Sequence, residues 1–156
     1  MTRSADTPVV VGWREVVGLP DWGVPAVKAK VDTGARTSAI HVSSVEELSD
    51  GRVRFEVVVR EKPVLETRVV EAVPVRRAVV KPSHGATQER WVCRTRMKLG
   101  PIEREIELSL VCRRGMLCRM LVGRRSLPEG TVVDPNRRYV HGGVRVKPRA
   151  GKAKER

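Results

Sequence analysis

One stretch of this sequence places a carboxylate where it could do chemistry. Residues 27–42 read VKAKVDTGARTSAIHV. The apolar run Val27–Val31 leads into Asp32-Thr33-Gly34-Ala35, and a second apolar segment follows at Ala39–Val42. This pattern holds Asp32 on a tight turn at the end of a buried strand. Gly34 lets the backbone turn closely and leaves its N–H available to the carboxylate. Thr33 adds a hydroxyl that can lock the loop by hydrogen bonding. A lone carboxylate is an ordinary base. Two within about 3 Å of each other cannot both ionise, so they share one proton. The ionised member can then take a proton from water while the protonated one polarises a carbonyl. The sequence holds a single Asp-Thr-Gly. A pair therefore requires a second copy of the chain across a two-fold axis.

Residues 120–127 read MLVGRRSL, about ninety residues after Asp32. With the Asp-Thr-Gly loop, this segment resembles the retropepsin-like aspartic peptidases, whose small subunits each donate one such loop. The resemblance implies an all-β, closed barrel of the acid-protease type with one short C-terminal helix. It implies that Leu121, Val122, Gly123 and Arg124 form a strand packed beneath the loop, with Leu127 in the helix. The fuller run DTGARTSAIH is closer still to a bacterial group labelled ATP-dependent zinc proteases, some of which occur beside ATP-grasp amino-acid ligases. The match covers residues 9–143. The spacing from Asp32 to Gly123 is about thirty residues longer than in the compact viral members. The extra length is expected in hairpins spanning residues 43–79. A mobile flap over the cleft is then expected near Val80–Trp91, with Pro82, Ser83, His84 and Gly85 at its tip.

The other polar residues near the loop have two readings. Arg36, Thr37 and Ser38 either form an ordinary solvated turn or shape the cleft entrance, where Arg36 would suit a substrate carboxylate. His84 is a cleft candidate through the flap. Asp32 itself could merely cap a turn. Arg124 is expected in a structural ion pair within or between subunits, and not in a substrate contact. His41, on an apolar strand, reads as a satisfied, partly buried histidine, and His141 stands alone. Cys93, Cys112 and Cys118 form no CxxC, and no HExxH occurs. No zinc ligand set is therefore visible, and no metal is expected. No phosphate-binding Gly-rich loop with a lysine occurs either, so no use of ATP by this chain is expected.

The elements that must hold the loop read as strands. Valine dominates, and β-branched residues recur at Val9–Val11, Val53–Val59, Val69–Val75 and Ile102–Val111. RVRFEVVVR at 52–60 and IEREIELSL at 102–110 alternate as half-buried strands do. Asp50–Gly51 and Gly100–Pro101 are turn signals. The best helical stretch, Arg124 to Leu127, is stopped by Pro128 and has room for only one or two turns. Residues 1–8 read as a flexible arm, 9–143 as one retropepsin-like domain, and 144–156 as a basic disordered tail.

The chain has 156 residues and a net charge of +13, with 40% hydrophobic and 31% charged residues. This is globular composition for one domain. Residues 135–156 carry +7 of the charge, so basicity belongs mostly to the end of the chain. No run approaches the roughly 18 apolar residues of a membrane helix. No signal-peptide core appears, and the odd cysteine count suits a reducing compartment, so a cytoplasmic protein is expected. The leading expectation is a homodimeric aspartic endopeptidase cleaving a peptide or isopeptide-like bond, with an acidic tail among its candidate substrates. One rival is a barrel that binds a peptide tail without cutting it. Another is a basic ribosome- or RNA-associated protein, although the few aromatics do not form a basic-aromatic stripe.

Overall fold

The computed structural model describes residues 8–80, 87–112 and 118–142. Most of the expected N-terminal arm, the whole tail from residue 144, and the flap-tip residues Pro82, Ser83, His84 and Gly85 lie outside the described residues.

The chain is all-β. Strands run in the order β1 (Val10–Leu19), β2 (Val24–Asp32), β3 (Ser38–Glu47), β4 (Val53–Arg60) and β5 (Glu66–Ala72). They continue with β6 (Arg76–Val80), β7 (Gln88–Leu99), β8 (Ile102–Val111), β9 (Met120–Gly123) and β10 (Val132–Arg138). The barrel order is β1-β2-β9-β3-β8-β7, and pairing of Gly18 with Lys98 brings β7 back to β1 to close the ring. β10 adds to β1 in parallel, β6 adds to β7, and the β4–β5 hairpin extends from β3. Closure removes the open edges of the six ring strands.

The alternating segments behave as their patterns require. β4 and β8 begin within one residue of their expected starts and send alternate side chains inward. Gly100–Pro101 forms the two-residue turn between Leu99 and Ile102, and Gly100 takes a φ of +58°, which an L side chain rarely adopts. Asp50–Gly51 lies at the β3–β4 turn. The Val69–Val75 run does not make one strand. It breaks after Ala72, where Pro74 cannot donate to a ladder, and β6 starts at Arg76.

The core fills the ring and continues under the β4–β5 hairpin. Phe55 meets Trp22 edge-to-face with centroids 5.0 Å apart, beside Val53, Val57 and Val70. The short C-terminal helix needs correction. Arg124–Ser126 forms a single 3₁₀ turn, and Leu127 is already extended at φ −102°, ψ 138°. Pro128 disfavours helical geometry in the residue before it.

Candidate active site

Asp32 is the last residue of β2, and its strand partner is Gly123 of β9. β2 and β9 run parallel, while β9 runs antiparallel to β3 through Ala39–Leu121 and Ile40–Met120. The strand carrying the Gly-Arg motif therefore lies between the strand entering the Asp-Thr-Gly loop and the strand leaving it. Gly123 must be glycine for this fit, because a Cβ there would collide with the Thr37 backbone.

The loop is fixed from within and from below. Gly34 N donates to Asp32 Oδ1 at 3.0 Å, and Ala35 N donates to the Asp32 carbonyl at 3.0 Å. A Cβ at Gly34 would stand 3.2 Å from Asp32 Oδ1, so glycine keeps the carboxylate clear. Arg124 N donates to the Ala35 carbonyl at 2.9 Å, and Arg125 N donates to the Arg36 carbonyl at 3.1 Å. The Arg124 side chain does not form the expected ion pair within the described residues. Its Nη1 donates to the Thr33 carbonyl at 3.3 Å and approaches that of Gly34 at 3.5 Å. Loop carbonyls take this cation because they point down from the turn with no strand partner.

A buried polar contact completes the fastening. Ser38 Oγ and Ser126 Oγ are 2.6 Å apart, and Ser38 Oγ also accepts from Gly123 N at 2.9 Å. Both serines are nearly closed to solvent, at 1% and 4% exposure. Ser38 thus fastens the loop, whereas Arg36 and Thr37 are exposed. Sequence reasoning missed Ser126. Only its contact with a residue 88 positions away reveals its role.

Asp32 is half-buried, and Thr33 and Gly34 are exposed. Asp32 opens on a groove flanked by Trp13, Val31, Leu127, Pro128 and Val133. This places one carboxylate, with one oxygen held by a backbone donor, beside an apolar surface. Such a group can accept a proton from water or share one with a second carboxylate.

The remaining candidates stand apart. His41 is buried, with Nε2 3.9 Å from Glu61 Oε2. His84 lies outside the described residues. All three cysteines are free, and burial pushes the Cys93 thiol up to about 11, which keeps it an inert core group. Among the described residues, no group of three His, Cys, Asp or Glu side chains is placed to hold an ion.

The comparisons with known proteins agree with this geometry. A family model described as RimB-like, the retropepsin-like aspartic endopeptidase RimB, matches residues 10–143. The chain belongs to the RimB-like family. RimB-like membership agrees with the closed barrel and with the Asp-Thr-Gly loop over its Gly-Arg strand. The chain is also similar to two proteins named "Probable alpha-L-glutamate ligase". It is 35% identical to the one from Shewanella pealeana over 88% of this chain, and 36% identical to the one from Desulfotalea psychrophila over 81%. It spans only 31% and 28% of their lengths. Among solved structures, the Legionella pneumophila protein Lpg0085, of unknown function, superposes with a TM-score of 0.69. It is 27% identical, and the match covers 86% of this chain and 99% of that one. No helix among the described residues is long and apolar enough to cross a membrane.

Proposed function

We propose that this chain is an aspartic endopeptidase whose working unit is a homodimer. The observation that carries the reading is the Asp32 carboxylate, held on a loop that β9 fastens from below and that remains exposed above. A two-fold partner places a second Asp32 against the first. The ionised carboxylate takes a proton from water as the water oxygen attacks the scissile carbonyl carbon. The protonated carboxyl gives its proton to the carbonyl oxygen. Collapse of the tetrahedral diol breaks the C–N bond: the carboxyl that took the water proton gives it to the leaving amine, and the other carboxylate takes a proton from a diol hydroxyl, which restores the shared-proton pair. Gly34 N–H holds each carboxylate in place, and Thr33 braces the two loops against each other. The groove beside Asp32, lined by Trp13, Leu127, Pro128 and Val133, supports a covered surface there.

The substrate in this reading is an acidic peptide or isopeptide-like tail. The exposed Arg36 on the loop supports this, as do relatives named for glutamate ligation. The flap in this reading is the stretch near Val80–Trp91, beyond the Val80–Gln88 pair of β6 and β7, with its tip outside the described residues. The reaction proceeds without zinc or ATP bound by this chain, in the cytoplasm. The test is hydrolysis of short α-linked glutamate peptides by the wild type and by Asp32→Asn. Cleavage is expected only with the wild type and is expected to survive a chelator. Cleavage by Asp32→Asn overturns the reading.

A further inference from the structure

A second cleft lies at the exit of the catalytic loop, against the β6–β7–β8 sheet. Its volume is about 220 Å³. Thr37 and Ser38 line it from the loop, Arg125 and Ser126 from the turn after β9, and Arg76 and Arg94 from the sheet. It shares no lining residue with the groove into which Asp32 opens. A chain lying extended across the loop advances about 3.3 Å per residue and alternates its side chains. Thr37, on the cleft wall, lies five positions beyond Asp32, so in the peptidase reading the occupant is a side chain away from the scissile bond.

Its charges are unevenly matched. Arg76 Nη1 binds Glu107 Oε1 at 2.7 Å, and Arg94 Nη2 binds Glu107 Oε2 at 3.2 Å, so one carboxylate serves two guanidinium groups. Each guanidinium has five N–H donors, most of which remain unused here. Glu105 is the other acid on the wall. Arg125 is fixed by its backbone bond to Arg36, and its side chain makes no hydrogen bond or ion pair among the described residues. Three guanidinium groups thus face two carboxylates, one of which is already shared. A planar fork with free donors on a pinned backbone is suited to a carboxylate.

We propose that this cleft is a subsite that selects an acidic side chain of the substrate, with Arg125, Arg94 and Arg76 as specificity residues and Glu107 as the internal counter-charge that competes with the substrate carboxylate. The inference rests on the peptidase reading but assigns recognition to a place separate from the hydrolytic loop. It makes an asymmetric prediction. Removing Arg125 weakens binding. Removing the charge of Glu107 strengthens it, because the two sheet arginines then lose their internal partner. An ordinary surface ion cluster would give no gain from losing its acid.

The test measures tetraglutamate binding calorimetrically to Asp32→Asn protein, with tetraglutamine as the neutral control. Arg125→Ala in that background is expected to weaken tetraglutamate about five- to tenfold, with Arg125→Lys between the two. Glu107→Gln is expected to tighten it about threefold. Neither change should move tetraglutamine. The proposal is overturned if tetraglutamate does not bind, if Arg125→Ala leaves its affinity within about twofold, or if Glu107→Gln weakens it. Arg125→Ala keeps this falsifiable even if Glu107→Gln loosens the sheet, because the Arg125 side chain makes no hydrogen bond or ion pair among the described residues. If the full binding pattern appears but the wild type never cleaves, the peptidase reading fails and the subsite stands. If the wild type cleaves tetraglutamate and the pattern is missing, the subsite fails and the peptidase reading stands.

Discussion

Asp32, Gly34, Ser38, Gly123 and Ser126 form one fastening, and each substitution in it has a distinct expected outcome. Asp32→Asn keeps an oxygen that can accept from Gly34 N, so thermal unfolding should stay within about 0.5 kcal/mol of the wild type while hydrolysis disappears. Ser126→Ala leaves the Ser38 hydroxyl without its buried partner. It should lower stability by about 1–2 kcal/mol, measured by denaturant unfolding. Gly123→Ala should cost more, about 3 kcal/mol or above, because the Thr37 backbone occupies the space a Cβ needs. The sequence made Asp32, Gly34 and the Gly-Arg strand legible because their spacing is local or forms a motif. Ser126 and Glu15 were not legible. Glu15 sits in β1 at 1% exposure and accepts from Gly12 N at 2.7 Å and Val140 N at 2.9 Å. In sequence, it looks like an ordinary strand carboxylate beside Arg14. Two of its donors, Val140 N and His141 N, come from a segment that the fold brings back across 125 and 126 positions.

At the scale of elements, alternation and turn residues located β4, β8 and their hairpins because those signals are carried by neighbours in sequence. The closure of β7 onto β1 and the insertion of β9 between β2 and β3 depend on distant pairing and left no local mark. The β4–β5 hairpin lies within residues 43–79, where the extra length is expected, and it is not an appendage. Phe55 is 1% exposed and packs on Trp22, so Phe55→Ala should destabilise the whole domain by about 3–5 kcal/mol in a single unfolding transition. In the β6–β7–β8 sheet, the hydrogen bond from Arg76 holds the Glu107 carboxyl below its ordinary value; burial, next in size, opposes it, and the hydrogen bond from Arg94 adds to the lowering. A depressed carboxyl contributes stability that is present above its unfolded-chain value of 4.5 and lost as pH falls through the lower folded value. Glu107→Gln should therefore flatten the acid limb of the stability profile. The effect should be modest, because the carboxylate is partly exposed and screened.

At the scale of the molecule, the charge of +13 opposes self-association, whereas covering the groove beside Asp32 in the proposed homodimer would favour it. Salt should therefore strengthen the dimer in sedimentation experiments, by screening like charges, and weaken binding of an acidic peptide. These opposite salt slopes separate assembly from substrate capture in one set of buffers. Both copies must contribute Asp32 if a shared proton drives the reaction, and subunit mixing reads this most directly. Wild-type and Asp32→Asn chains are equilibrated at fixed total concentration, and tetraglutamate hydrolysis is followed as the wild-type fraction falls. Paired carboxylates predict a quadratic decline, to about a quarter of full activity at equal mixing. A linear decline, to about a half at equal mixing, would show that each chain works alone and would contradict a two-fold aspartic site.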